Sequence, residues 1–458
     1  MIFSFRKSLL AASIMLLASE ASFASQDCSS TPFGNNNGSI PPKTEYNGPL
    51  FQLSHDYPAT PATSASPWRD AIGQKTITVD NADKYVAALK EFISKDFRAM
   101  IADPKWSPAK NGWYHAPWLN CERESIHGMY VGSSDFDKDL FDGTGLKKDF
   151  STYVLTMYNN VAANALYNVW QTDGMNPKIT ATSSQFAENS VVTKYAFTTA
   201  NADNWDAMQG ALEWPLYITV NATTGDHKTS QLNKASLMQF DLIVKDTQSA
   251  PDTGWVFATL VYDKDAPGKD VWDKMVPLGA MWGNDPEVNS TKNPSQPLKQ
   301  NWINPNAPVY AKKTLGWGGR LSGPNDGGMN DAIVNIDGKP TKMKNLPSSS
   351  CLSCHGSAEW PMHSFLLPTT TMPPQAKGDY LLMWPPGSPQ WMQWFQSRAG
   401  NVPQDIGTTA FDYDMVFVFK SLPAWQKATT GRPTLLQGLD RTGKPINKFQ
   451  NYDGSMHD

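Results

Sequence analysis

Residues 351–355 read Cys-Leu-Ser-Cys-His, and the pattern occurs once in the 458-residue chain. Two thiols at this spacing can each form a thioether to one of the two vinyl groups of a single haem. The histidine that follows can donate an imidazole nitrogen to the iron. Cys351 and Cys354 are therefore the expected attachment points of one covalent haem c, and His355 its proximal ligand. Two other chemistries use the same residue types. A thioredoxin-like Cys-x-x-Cys sits between a strand and a helix, whereas Asn345-Leu346-Pro347-Ser348-Ser349-Ser350 reads as a loop. Zinc needs four ligands. Cys351, Cys354, His355 and His363 could supply them, but the second ligand pair at conventional spacing is missing.

The opposite side of the iron decides what such a centre does. A second protein ligand suits electron transfer, and an open position lets a small molecule bind. Met372, in the irregular run Thr371-Met372-Pro373, is the candidate distal ligand. His363 lies too close to His355 in sequence to cross to the other haem face. Met392 and Met415 fall on helical stripes, where methionine reads as core packing. His115 and His127 are alternatives from the first half of the chain, and an open position is another.

The first residues read as a secretory leader. Arg6 and Lys7 precede a short apolar stretch from Leu9 to Ala18, and Ser22-Phe23-Ala24 offers small residues for cleavage after Ala24. No later apolar run is long enough to cross a bilayer. The expectation is a periplasmic or secreted chain without stable membrane insertion. Thioether attachment of haem takes place in the same compartment in bacteria. With Cys351 and Cys354 used by haem, Cys28 and Cys121 remain, and two spare thiols in an oxidising compartment pair as a disulfide. The net charge is −4, or −5 once Arg6, Lys7 and Glu20 leave with the leader. That is no nucleic-acid footprint.

The elements that must position the motif are legible in part. Asp80 or Asn81 can cap a helix over 82–100. Its stripe is Tyr85, Val86, Leu89, Phe92, Ile93, Phe97 and Met100. β-Branched and aromatic runs at 191–197, 216–220, 238–244 and 255–262 predict strands, the last two as an antiparallel pair. Residues 264–350 are turn-rich and read as loop packed on a scaffold or as a cofactor enclosure. Short helices are predicted at 389–398 and 411–422. The segment Trp113-Tyr114-His115-Ala116-Pro117-Trp118, with Arg123 and His127 beyond it, could line a pocket. It reads more simply as a Trp-rich loop with locally satisfied polar atoms.

The haem motif is similar to that of bacterial c-type cytochromes, although the small helical members carry a helix directly before it. The order of blocks resembles the cytochrome P460 and β-type cytochrome c′ group. The run Phe186-Ala187-Glu188-Asn189-Ser190-Val191-Val192-Thr193-Lys194 looks like its strand entry. Val244-Lys245-Asp246, Gly254-Trp255-Val256-Phe257 and Cys351-Leu352-Ser353-Cys354-His355 follow in that order. The resemblance implies a β-sheet domain ahead of the haem motif. In that group a lysine is cross-linked to haem; here Lys194 reads by default as a solvated strand lysine. Nearly ninety residues separate the last strand from the motif, and about a hundred follow it. The chain also resembles larger single-haem secreted bacterial proteins that carry Trp-Tyr-His-Ala-Pro-Trp and Trp-Gly-Asn-Asp-Pro blocks.

The expected class is α+β. A leader at 1–24 precedes a β-rich domain over 25–330, an antiparallel sheet with a backing helix. A loop-rich, partly helical c-type haem-binding region follows over 331–458. The expected function is that of a monohaem c-type cytochrome serving a redox partner protein or a small-molecule substrate. The alternative is a haem enzyme or gas-binding protein with an open distal site, lined by His115, His127 or Arg123.

Overall fold

The computed structural model describes residues 28–218, 230–370, 376–377 and 380–430; the leader at 1–24 and Met372 lie outside the described residues. The chain is α+β, mostly antiparallel sheet with a few helices. An irregular N-terminal stretch leads into α1 (Pro67–Ala71) and α2 (Ala82–Ala102). Asn81 precedes α2, and Asp83 in its first turn complements the positive end of the helix dipole. Tyr85, Val86, Leu89, Ile93 and Phe97 are buried along one face, as their spacing predicts. Cys28 and Cys121 form a disulfide.

Nine strands build the main sheet. They are β1 (Trp113–Tyr114), β2 (Tyr130–Phe136), β3 (Phe150–Asn159), β4 (Val191–Thr198), β5 (Glu213–Ile218), β6 (Gln231–Lys245), β7 (Trp255–Tyr262), β8 (Met275–Met281) and β9 (Asn301–Ile303). Their order is β1-β3-β4-β6-β7-β8-β9, with β2 also on β3 and β5 also on β6. Helix α3 (Ala163–Trp170) lies between β3 and β4 in sequence.

This sheet is covered on both faces, so β3 and β7 are buried at every position instead of alternating. Successive side chains still point to opposite faces. Tyr195 and Phe240 meet Phe97 of α2, whose ring also stacks on Trp272 at 4.2 Å. The neighbouring rung Thr156–Lys194–Asp241–Thr259 points the other way, toward the C-terminal region.

The C-terminal part begins after α4 (Val309–Lys312) with the hairpin β10 (Met329–Ile336) and β11 (Lys339–Pro347). Strand β10 runs across the expected domain boundary at 330/331. Helix α5 (Cys351–His355) carries the motif. Then come β12 (Glu359–Trp360), β13 (Ala376–Lys377), β14 (Tyr380–Met383) and β15 (Thr409–Ala410). Strand β14 pairs with β10 in parallel, and β12 with β15 antiparallel. A π-type turn, Phe417–Ser421, leads into the last helix, α6 (Leu422–Thr430).

Two expectations need correction. The turn-rich stretch 264–350 contains β8 to β11, hidden because Pro277 and Gly279 interrupt the β pattern of β8. The expected helix over 389–398 is only the single turn Trp391–Gln393, whose aromatic side chains belong to an irregular packed segment.

Candidate functional site

Helix α5 starts where it does because Ser350 caps it. The Ser350 hydroxyl accepts from the Ser353 backbone N–H at 3.0 Å, and the Ser350 N–H donates to the Ser353 hydroxyl at 2.7 Å. This reciprocal box satisfies two groups that a helix start otherwise leaves unpaired. The turn is also tied to the sheet domain. Ser350 Oγ donates to Asn284 Oδ1 at 2.9 Å, and the Cys351 N–H donates to the Leu321 carbonyl at 2.9 Å. The buried Arg320 guanidinium donates to the carbonyls of Asn284, Asp285, Val288 and Trp317, which organises the loop that holds Ser350.

Cys351, Cys354 and His355 thus sit on one helical turn. Cys351 is buried, while Cys354 and His355 are partly exposed, and neither thiol is in a disulfide. Burial pushes the Cys351 thiol well up, reinforced by Asp326 and Asp241, and the Cys354 thiol up to about 12. Redox-active dithiols need the opposite shift, so a thioredoxin-like role does not fit. Among the described residues no group of three or more His, Cys, Asp or Glu side chains could hold a metal ion. His363 is half-buried and outside any such group.

His355 is oriented from a distance. Its Nδ1 lies 2.7 Å from the backbone carbonyl of Tyr413, which can only accept, so Nδ1 carries the proton and Nε2 offers the lone pair. A partner of this kind on the non-ligating nitrogen fixes the tautomer and ring orientation of a metal-binding histidine. Burial depresses the His355 imidazolium to about 4, so the ring is neutral near pH 7, as a ligand must be. Phe257 packs edge-on against the ring at 4.8 Å.

A cavity of about 50 Å³ borders His355, lined also by Tyr158, Val192, Lys194, Trp255 and Met415. It has room for one or two waters. A macrocycle needs far more, and the partly exposed Cys354 and His355 place the open side of the site at the molecular surface. By donor chemistry the residues fit a covalently held haem: two unpaired thiols and a neutral imidazole with its second nitrogen already engaged.

Lys194 is not the solvated lysine its strand position suggests. Its side chain is 22 % exposed, and its Nζ lies 2.7 Å from Asp326 Oδ1 and 3.0 Å from Asp241 Oδ2. Asp326 Oδ2 is in turn 3.9 Å from Cys351 Sγ. Attraction to the two carboxylates holds the ammonium well above its ordinary range against the opposing burial, which is the larger single effect. The C-terminal region covers this face of the sheet, and β4 cannot reveal that locally. Tyr158 donates to Asp414 Oδ2 at 2.8 Å in the same cavity, and burial raises Asp414 to about 6.

The other expected distal residues lie elsewhere. His115 is buried, accepts at Nδ1 from the Ser54 N–H at 3.1 Å, and packs against Phe51. His127 stacks on Trp214 at 4.2 Å. Arg123 donates to the carbonyls of Gly128 and Ala116. None of the three lines the cavity beside His355, and His115 Nε2 and Arg123 Nε are buried without a hydrogen-bond partner. Of the methionines on helical stripes, Met415 lines the cavity and Met392 does not.

Sequence reasoning missed Asn284, Arg320 and Asp412-Tyr413. The turn signals Gly283–Pro286 and Gly316–Arg320 mark the first two, and no local pattern marks Asp412-Tyr413. Asp412 accepts from Lys245 Nζ at 2.7 Å, Trp255 Nε1 at 2.7 Å and the Phe186 N–H at 2.9 Å, fastening the Tyr413 segment to the sheet. Against protein-family models, curated proteins and solved structures, the chain finds no match.

Proposed function

We propose that the protein is a periplasmic single-haem c-type cytochrome, with haem held through Cys351 and Cys354 and ligated by His355. One observation carries this reading: both thiols and the imidazole share a single capped turn, and the Tyr413 carbonyl leaves Nε2 as the ligating atom. The haem, when bound, supplies an iron that cycles by one electron between ferric and ferrous. The chain's own residues do the rest. Tyr413 holds the His355 tautomer and increases its basicity. Phe257 limits rotation of the ring, and burial keeps the imidazole neutral.

A second reading is a haem enzyme or gas-binding protein. It is favoured by the polar groups that share the His355 cavity, Lys194 paired with Asp241 and Asp326, and Tyr158 paired with Asp414. Such groups can donate hydrogen bonds or protons to a small bound molecule.

The test is the visible spectrum of the purified mature protein, oxidised and dithionite-reduced, with and without carbon monoxide. Sharp ferrous bands indifferent to carbon monoxide support the electron carrier. A broad high-spin spectrum that shifts with carbon monoxide supports the second reading. Absence of haem bands, in a host that matures c-type cytochromes, overturns both.

A further inference from the structure

Lys194 has one carboxylate more than an ion pair needs. Among the described residues Lys245, also largely buried, has Asp412 as its one ion-pair partner. Lys194 Nζ lies 2.7 Å from Asp326 Oδ1 and 3.0 Å from Asp241 Oδ2. The three residues come from different parts of the fold. Lys194 and Asp241 are direct cross-strand neighbours on β4 and β6, and Asp326 arrives from the turn ahead of β10. Their side chains are 22 %, 8 % and 11 % exposed for Lys194, Asp241 and Asp326, so water has little access.

The two carboxylates are held differently. Asp241 Oδ1 accepts from the Thr259 hydroxyl at 2.8 Å and from Gln239 Nε2 at 2.9 Å, while Oδ2 faces the ammonium. Burial raises Asp241 above the usual carboxylate range, which makes it the better proton acceptor. Against its own burial, the Lys194 charge and hydrogen bonds from Gly323 and Gln239 hold Asp326 below that range. Asp326 Oδ2 accepts from the Gly323 N–H at 2.8 Å and from Gln239 Nε2 at 3.0 Å. Gln239 is fully buried and fixed in turn, because its Oε1 accepts from the Asn325 N–H at 2.9 Å. Donors aimed at a carboxyl oxygen stabilise the charge that develops there when a nucleophile adds to the carbon. An amine, a carboxyl group with two donors on one oxygen, and a second carboxyl group to move protons are together the parts of an amide-forming site.

We propose that Lys194 and Asp326 join in an isopeptide bond, with Asp241 carrying the protons. Asp241 takes a proton from the Lys194 ammonium and passes it to Asp326 Oδ1. The freed amine adds to the Asp326 carboxyl carbon, and Oδ2, held by Gly323 and Gln239, takes the negative charge. Asp241 then removes a second proton from the nitrogen and delivers it to Oδ1, which leaves as water. The C–N bond replaces the C–Oδ1 bond, the amide keeps one N–H, and Asp241 ends as it began. No oxidant, metal or cofactor takes part, so the inference is independent of the haem reading. Partners held in contact reach effective molarities of about 10⁵ M or more, which favours a condensation that separate molecules in water do not make. The ammonium is the stable form, so the ion pair forms first and closure is a slow reaction of the folded chain. The bond joins residues 132 apart and fastens the region that carries α5 to the main sheet.

The test is mass spectrometry of the mature protein, intact and after trypsin, through several days of incubation. The intact mass is expected to end one water below that of the open chain. Trypsin should no longer cut after Lys194, and one branched peptide should join Lys194 to Asp326. The Cys351–His355 motif lies on a separate tryptic peptide, so haem attachment and the isopeptide bond are read independently. Asp241→Asn keeps the Lys194–Asp326 ion pair but removes the proton carrier, and should close about a hundred-fold more slowly. Lys194→Arg keeps the positive charge and should retain its full mass. The proposal is overturned by a wild-type chain that keeps its full mass and is cut normally after Lys194 throughout. It is overturned equally by a branch at another pair, such as Lys245 and Asp412, or by undiminished closure in Asp241→Asn.

Discussion

Asp412 is the residue on which most of the site converges. Its carboxylate gathers Lys245, the Trp255 indole and the Phe186 backbone, while the next residue presents the carbonyl that holds His355. Removing one partner of a buried ion pair costs about 3–5 kcal/mol, because the other charge is left uncompensated. Asp412→Asn should therefore lower unfolding free energy by about that amount in urea titration and, under the proposed haem reading, loosen the His355 ring enough to alter the visible spectrum. Lys194 has the converse role, one cation between two carboxylates. Lys194→Met leaves Asp241 and Asp326 facing each other without a counter-charge. The expected loss is about 3–5 kcal/mol at pH 7. It should shrink toward pH 5 as a carboxyl takes up a proton, so denaturation midpoints of variant and wild type converge on acidification.

At the scale of elements, the main sheet separates two tasks. One face is closed by α2, the other by the region that carries α5. Phe97 is the anchor of the first, stacked on Trp272 and Tyr195 and set edge-on to Phe240. Phe97→Ala should cost about 3–5 kcal/mol in stability. Because Phe97 lies across the sheet from His355, any visible spectrum of the folded variant should match wild type. The hairpin β10–β11 carried a readable sign that periodicity overlooked. Asp337-Gly338, both at positive φ, forms the two-residue turn whose twist suits antiparallel strands.

For the whole molecule, the buried acid next to the motif sets a pH dependence. Glu359 Oε2 accepts from the Asp405 N–H and the Thr408 hydroxyl, both at 2.9 Å, and Oε1 is buried without a partner. Burial, aided by the Asp405 charge, raises Glu359 to about 8. The unfolded chain loses this proton near pH 4.3. Between those values the native state binds the extra proton, so this group makes stability fall as pH rises toward 8 and adds no further slope above it. Glu359→Gln should remove that slope in unfolding midpoints measured from pH 5 to 8.5, and be relatively more stable than wild type at the alkaline end. A slope that persists unchanged in the variant would assign it to other groups.

Some of this is decided within a few consecutive residues and can be read directly. The spacing of Cys351, Cys354 and His355 is local covalent chemistry. The α2 stripe and the runs of β4, β6 and β7 are local periodicities, and the Cys28–Cys121 pair follows from counting thiols. What covers a strand is not local. Lys194 reads as solvated because alternation says which face a side chain takes, and not what lies against that face. The partner that fixes His355 is 58 residues away, and the ion pair behind it joins residues 167 apart. Those contacts exist only once the C-terminal region packs onto the sheet, so the sequence by itself determined how a cofactor could be attached. Only the tertiary structure decided which nitrogen of His355 is free and which charges surround it.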